Sequence, residues 1–156
     1  MMKTRADILI VDDEQVVRLS HLRSLATANF DSTAVGSGFE ALSLMACHSF
    51  DIVFLDIRMP DMDGIAVLEA IKQRWPECEV IMMTGYPAIE TAKQAVKLGA
   101  YHYLVKPISP MDVVRAAKEA LRHKRWALRK VTRQRNREES AGHGYWTDQL
   151  PPQLAR

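Results

Sequence analysis

Only two cysteines, Cys47 and Cys78, occur in the 156 residues, with no CxxC and no metal-like spacing. That excludes a disulfide framework and a thiolate zinc site, and leaves two reduced thiols in a cytoplasmic protein as the expectation. Long apolar runs are lacking too. Ile8 to Val11 and Ile52 to Leu55 are among the longest, far short of the roughly 20 residues that span a bilayer. The start of the chain reaches an acidic cluster at Asp12 without a signal-peptide core, so export is not expected. No internal repeat or low-complexity stretch is present. What the chain does hold is 47% hydrophobic residues, enough for one core.

The formal net charge of +2 conceals two parts. Residues 1–121 hold 12 Lys and Arg against 16 Asp and Glu, a balance of −4, whereas residues 122–156 hold 9 against 3, a balance of +6. An acidic body followed by a basic tail predicts a domain over 1–123 and an extension over 124–156.

Within the body, continuous apolar runs alternate with helical periodicity. Strands are predicted at Ala6 to Val11, Ser32 to Val35, Asp51 to Leu55, Glu79 to Met83 and Tyr101 to Val105. Helices are predicted from Glu14 to Ala28, with Val16, Leu19, Leu22 and Leu25 recurring every three residues, then at Phe39 to His48, Ile65 to Trp75 and Ala88 to Leu98. A last helix opens at Ser109-Pro110, with serine as cap and proline in the first turn. Five strand–helix units in strict alternation call for a parallel sheet covered on both faces, because parallel strands need crossover connections.

In such a sheet ligands bind beyond the carboxyl ends of the strands. Those ends deliver Asp12 and Asp13, Asp56, Thr84 and Lys106. Taken singly, each is an ordinary cap or turn residue. Taken together, three carboxylates require a cation, and a hard oxygen-seeking ion such as Mg²⁺ answers that need. A hydroxyl and an ammonium beside them suit phosphoryl transfer, which depends on positioning and charge neutralisation.

The segments ILIVDDE, DIVFLDIRMPDMDG, VIMMTGY and GAYHYLVKP resemble the receiver domain of two-component response regulators over about Ala6 to Leu121. The stretch MMTGYPAIETAKQAVKLGAYHYLVKP is similar to receivers attached to AAA+ activators of the nitrogen-regulator class. The resemblance implies a five-stranded sheet in the flavodoxin-like order 2-1-3-4-5. It implies that Asp56 accepts a phosphoryl group from a sensor histidine kinase or phosphotransfer protein. Asp13 would ligate Mg²⁺ directly and Asp12 largely through water, with the backbone carbonyl of Arg58 as a further ligand. Thr84 would reach the phosphoryl oxygens, Lys106 would pair with them, and Tyr103 would be the switching aromatic. The Lys106-Pro107 bond is expected to be cis. Arg58 and Tyr86 would flank the approach to the phosphorus. His102 stands where the family often has an acid and His21 where it often has an aliphatic; both read as structural or solvent-facing. The face built from the fourth helix, fifth strand and fifth helix would change on phosphorylation and offers a homodimer contact.

Two other classes fit less well. A haloacid-dehalogenase-like phosphatase needs an acid two residues after the nucleophile, where Arg58 stands. A dinucleotide-binding fold needs a glycine-rich turn after the first strand, where Asp12-Asp13-Glu14 stands. A receiver piece of a longer DNA-binding transcription regulator is the alternative for output alone. In the tail, Leu121, Leu128 and Arg135 make a poor heptad, so a linker or dimerising helix and a solvated basic helix both stand. Basic charge opens nucleic acid as a weak partner. From Ser140 on, Gly142, Gly144 and Pro151-Pro152 predict a flexible end.

Overall fold

Alternate side chains of a strand point to opposite faces, so a sheet covered on both sides needs apolar residues at every position. The computed structural model, which describes residues 5–149 and side chains to 141, has this arrangement in the three central strands of its sheet. Five strands, β1 (Asp7–Val11), β2 (Asp31–Val35), β3 (Ile52–Asp56), β4 (Glu79–Thr84) and β5 (His102–Val105), form one parallel sheet in the order β2-β1-β3-β4-β5. Ile8, Ile10, Ile52, Phe54, Ile81 and Met83 face one way, and Leu9, Val11, Val53, Leu55, Val80 and Met82 the other. The expected strand order is borne out.

The helices are α1 (Gln15–Thr27), α2 (Gly38–Cys47), α3 (Gly64–Arg74), α4 (Ile89–Lys97) and α5 (Pro110–Gln149). Leu25 of α1 and Val113, Ala116, Ala117 and Ala120 of α5 cover the isoleucine-rich face. Small residues at the α5 contact let its backbone approach the sheet closely. Ala41 and Met45 of α2, Val67, Leu68 and Ile71 of α3, and Ala95 of α4 cover the other. Polar caps begin α2, α3 and α5: Ser37 Oγ accepts from Glu40 N–H, Asp63 Oδ1 from Ile65 N–H, and Ser109 Oγ from Asp112 N–H.

Predicted and observed boundaries differ by a residue or so, with one difference that bears on chemistry. Asp56 is the last residue of β3, inside the ladder and paired in register with Met83, rather than in the loop after it. The face that α1 buries is a further finding. The three-residue spacing of Val16, Leu19, Leu22 and Leu25 predicted a helix, which is present, but the spacing does not mark its buried face: Val16 and Leu19 are 79% and 46% exposed. Steps of three fall short of a full turn of 3.6 residues, so the set drifts round the helix. The buried positions are His21, Ser24 and Leu25. Ser24 Oγ donates to Ser20 O, whereas both ring nitrogens of His21 are buried without a partner among the described residues.

The chain divides into two compact units, up to Lys124 and from Arg125 on. In the first, Lys124 Nζ donates to Asp51 Oδ1 at 2.9 Å and His123 Nδ1 lies 3.2 Å from Glu79 Oε1. These contacts fix the end of α5 within that unit to the amino ends of the central strands. Helix α5 runs on through Gly142 and Gly144 to Gln149, where a flexible end was expected, and Pro151-Pro152 lies outside the described residues.

Burial pushes the His21 imidazole below its ordinary value of 6.5, outweighing the opposing charge of Asp12, and the charge of Lys106 lowers it further. The unfolded chain therefore takes up this proton more readily than the folded one, and stability is lost as pH falls below that value. We expect His21→Leu to stabilise the protein by roughly 1–3 kcal/mol at pH 7.5, because an unpaired buried polar group is removed. The gain should grow at pH 5.5. Urea unfolding at the two pH values checks this; a less stable variant, or a difference that ignores pH, counts against it.

Candidate functional site

The register aligns four strand ends along one edge of the sheet. β1 stops at Val11, and Asp12 follows, fully buried, with exposed Asp13 next to it. β3 ends on buried Asp56 and β4 on buried Thr84. β5 ends at Val105, one residue before Lys106, whose peptide bond to Pro107 is cis.

Asp12, Asp13 and Asp56 converge there, with one oxygen of each lying within 4.8 Å of the others. Lys106 Nζ reaches across to donate to Asp12 Oδ2 at 2.7 Å and lies 3.2 Å from Asp56 Oδ2. The other carboxylate oxygen of Asp12 accepts the Glu14 N–H at 2.9 Å, so both of its oxygens are engaged. Burial first, and then the charge of Asp12, raise Asp56 to about 6, against the opposing pull of Lys106. Burial works against the charge on Lys106, but its hydrogen bond to Asp12 and the two nearby carboxylates outweigh that and raise its pKa. Oxygen donors crowded around one point, partly buried and mutually repelling, are a donor set that suits a hard divalent cation.

Thr84 follows Met83, the register partner of Asp56, and its hydroxyl oxygen accepts the Tyr86 N–H at 3.0 Å. Tyr103 pairs with Met82 on β5. Its ring packs against the core, and its hydroxyl is buried without a partner among the described residues. His102 is exposed, and its Nδ1 accepts the Tyr103 N–H. Arg58 and Tyr86 meet each other: the guanidinium carbon lies 4.3 Å from the ring centroid. An open cleft of about 550 Å³ beside the carboxylates is lined by Asp13, Arg58, Met59, Thr91 and Gln94, among others.

Two residues that support this site were not singled out from the sequence. Arg18, one turn into α1, donates from Nη1 to the backbone carbonyl of Asp12 at 2.8 Å and so holds the carboxylate loop. Nothing in its local sequence marks that role. Gly64 opens α3. A Cβ there would run into the carbonyl oxygen of Asp56 and the Cα of Ile57, while its N–H donates to Ile57 O at 2.8 Å. The glycine at the end of the Pro–Asp–Gly loop was the available signal, since it allows a close backbone approach.

Comparison with known proteins agrees with this geometry. Residues 8–118 match the response regulator receiver domain family. The DNA-binding transcriptional regulator NtrC of Escherichia coli is 38% identical over 119 residues, covering 76% of this chain and 25% of that protein. The regulatory protein AtoC of the same organism is 42% identical over 100 residues, 64% of this chain and 22% of that one. The chain thus spans about a quarter of the length of the curated relatives it matches. A CheY-like receiver domain protein from Methanospirillum hungatei superposes with a TM-score of 0.77 at 29% identity, over 80% of this chain and 99% of that one. NtrX from Brucella abortus superposes with the same score at 33% identity, over 83% of this chain and 30% of its own. The phosphatase and dinucleotide readings fall away, and the chain belongs to the receiver domain family of two-component response regulators.

Proposed function

We propose that Asp56 accepts a phosphoryl group from a phosphohistidine of a sensor kinase or phosphotransfer protein, and that the product reshapes the domain around it. The observation that carries this reading is the Lys106 ammonium bridging Asp12 and Asp56 inside a cluster of three carboxylates. A carboxylate oxygen of Asp56 attacks the phosphorus, the phosphorus–nitrogen bond breaks, and the leaving imidazole keeps the bonding electrons and takes up a proton. An acyl phosphate on Asp56 results.

Asp13, Asp56 and the Arg58 backbone carbonyl would hold Mg²⁺, with Asp12 acting through water, as its two engaged oxygens favour. The bound ion supplies positive charge against the carboxylates and the phosphoryl oxygens. Lys106 already stands between Asp12 and Asp56 and would turn to the new phosphate, which adds about −1.5 to −2 charge. The Thr84 hydroxyl, held only through its oxygen by the Tyr86 N–H, keeps its proton to donate to that phosphate. Moving Thr84 inward frees space next to Tyr103, which would adjust its ring. The domain assists its own phosphorylation and dephosphorylation and turns over no separate substrate. We read its setting as the cytoplasm, where Cys47 and Cys78 stay free thiols. Residues 1–123 form the switch in this reading and 124–156 a basic extension that carries the output or links to it. The chain is then compatible with the receiver portion of a longer transcription regulator, as its similarity to such proteins supports.

Incubation with Mg²⁺ and acetyl phosphate, followed by intact mass, should show one added phosphoryl group on the natural protein. Asp56→Asn should take up none and Asp13→Ala only a trace. Without strong Mg²⁺ binding, uptake should decline as pH drops through about 6, where Asp56 protonates. Equal uptake by Asp56→Asn refutes the assignment.

The Arg58–Tyr86 pair stands beside the approach to the phosphorus, and two large side chains held together exclude water better than either alone. We expect Arg58→Ala and Tyr86→Ala each to speed loss of phosphate several-fold, and the double change to add little beyond the larger single effect. Unchanged half-lives in all three variants rule shielding out.

Ile89, Val96, Val105 and Met111 are exposed apolar residues on α4, β5 and α5. Phosphorylation is therefore expected to strengthen a homodimer through this face. Light scattering with and without beryllofluoride tests it: a monomer mass that persists at high concentration argues against the dimer, and Val96→Glu should abolish one that forms.

A further inference from the structure

From Arg125 on, α5 carries its charge in a pattern that a merely solvated helix does not require. Arg125, Arg129, Arg133 and Arg137 follow one another at intervals of four, so all four lie along one side. Trp126 sits within the same arc and Lys130 borders it, the Lys130 ammonium 5.2 Å from the centre of the indole. No acidic residue occurs between Arg125 and Arg137. The first acids, Glu138 and Glu139, face Gln134 and Arg135 instead, at 3.4 and 4.0 Å. Each neighbouring pair in the ladder is a like-charge pair at i,i+4, which weakens an isolated helix. A row of four such residues is thus a cost to this segment until an anion is laid against it.

We infer that the Arg125–Arg137 face docks on the phosphate backbone of double-stranded DNA. Charge complementarity selects the class. The rungs stand about 6 Å apart and the ladder extends over about 18 Å, given 1.5 Å rise per residue. Duplex DNA presents one negative charge per about 1.7 Å of axis, so that length meets about ten phosphates. A helix about 10–12 Å across also fits the major groove, which is about 12 Å wide, whereas the major groove of an RNA duplex is narrow and deep. An anionic lipid surface suits the segment less well. Membrane-surface helices bury a bulky apolar face, and the side away from the ladder holds Leu128 and Val131 together with Gln134, Arg135 and Glu138. Exposed Trp126, inside the cationic arc, lies where a sugar or base edge would pass. Contacts of this kind fix binding and orientation but carry no sequence information.

The test is fluorescence anisotropy of a labelled 20-base-pair DNA duplex of arbitrary sequence with the full chain, from low to physiological salt. Four backbone contacts predict a slope of about −3.6 in log K against log salt, or roughly a 150-fold loss of affinity between 50 and 200 mM. Each single Arg→Gln change in the ladder should make the slope shallower by about 0.9, and the fourfold variant should lose binding at 200 mM salt. Glutamine keeps the helix, so circular dichroism of the fourfold variant should show equal or greater helicity. Adding duplex should increase helicity in the natural chain and leave the variant unchanged. The inference is overturned if the fourfold variant binds with the same slope. It is equally overturned if an RNA duplex or phosphatidylserine vesicles bind more tightly than DNA at the same salt.

Discussion

Asp12 and Asp56 share one ammonium, that of Lys106, and most of the site is arranged to keep that sharing intact. Two buried carboxylates with a third beside them repel one another strongly where water is scarce, and a single cation cannot cancel three negative charges. Burial first, and then this residual imbalance, raise the pKa of Asp56. Because the folded carboxyl holds its proton more tightly than the unfolded one, the stability it contributes is complete below its ordinary 3.8. That contribution is lost as pH rises through about 6. At neutral pH the fold therefore maintains the cluster against a standing electrostatic cost. Such a site has a built-in affinity for whatever brings positive charge, and the cost is offset by core packing on both faces of the sheet.

The geometry that imposes this crowding was largely legible in the chain. Apolar runs of four or five residues have few alternatives to a doubly covered strand, and the polar residue that ends each run can only lie at the sheet's edge. Asp12, Asp56, Thr84 and Lys106 could be placed at strand ends for that reason, and the strand order that the family resemblance implied brings them together. The α1 face could not be placed in the same way. A set of leucines and valines spaced by three looks helical, yet the sheet selected His21, Ser24 and Leu25, two of them polar. Burial there follows from where the helix lands after the β1 loop, and no local pattern encodes that position. Arg18 was invisible for a related reason: its partner is a backbone carbonyl, which every residue has. The mutual stacking of Arg58 and Tyr86 joins two loops whose separation only the folded register determines.

The second unit shows the opposite relation between sequence and structure. Its helical state is easy to read from composition, since Arg, Lys, Gln and Glu all favour helix. Its meaning resides in angular placement. Read linearly, the segment is a basic run, and the heptad test applied to Leu121, Leu128 and Arg135 examines the side that matters less. Wound at 3.6 residues per turn, Arg125, Arg129, Arg133 and Arg137 gather on one side, and Arg135, Glu138 and Glu139 lie off it.

The close seat of Gly64 against the end of β3 has a mechanical implication. With no side chain between them, the first turn of α3 abuts the carbonyl of the very residue that would carry the phosphate, and its N–H is tied to Ile57. That flank behaves as an anvil: a push delivered at Asp56 finds no slack toward α3. On the opposite flank, the Thr84 side chain is moored by a single amide, and the chain leads on into a loop and a short, largely exposed helix, α4, with one buried residue, Ala95. Displacement started at the crest of the sheet is thus steered one way, toward β4 and α4, by a glycine that touches none of the reacting atoms.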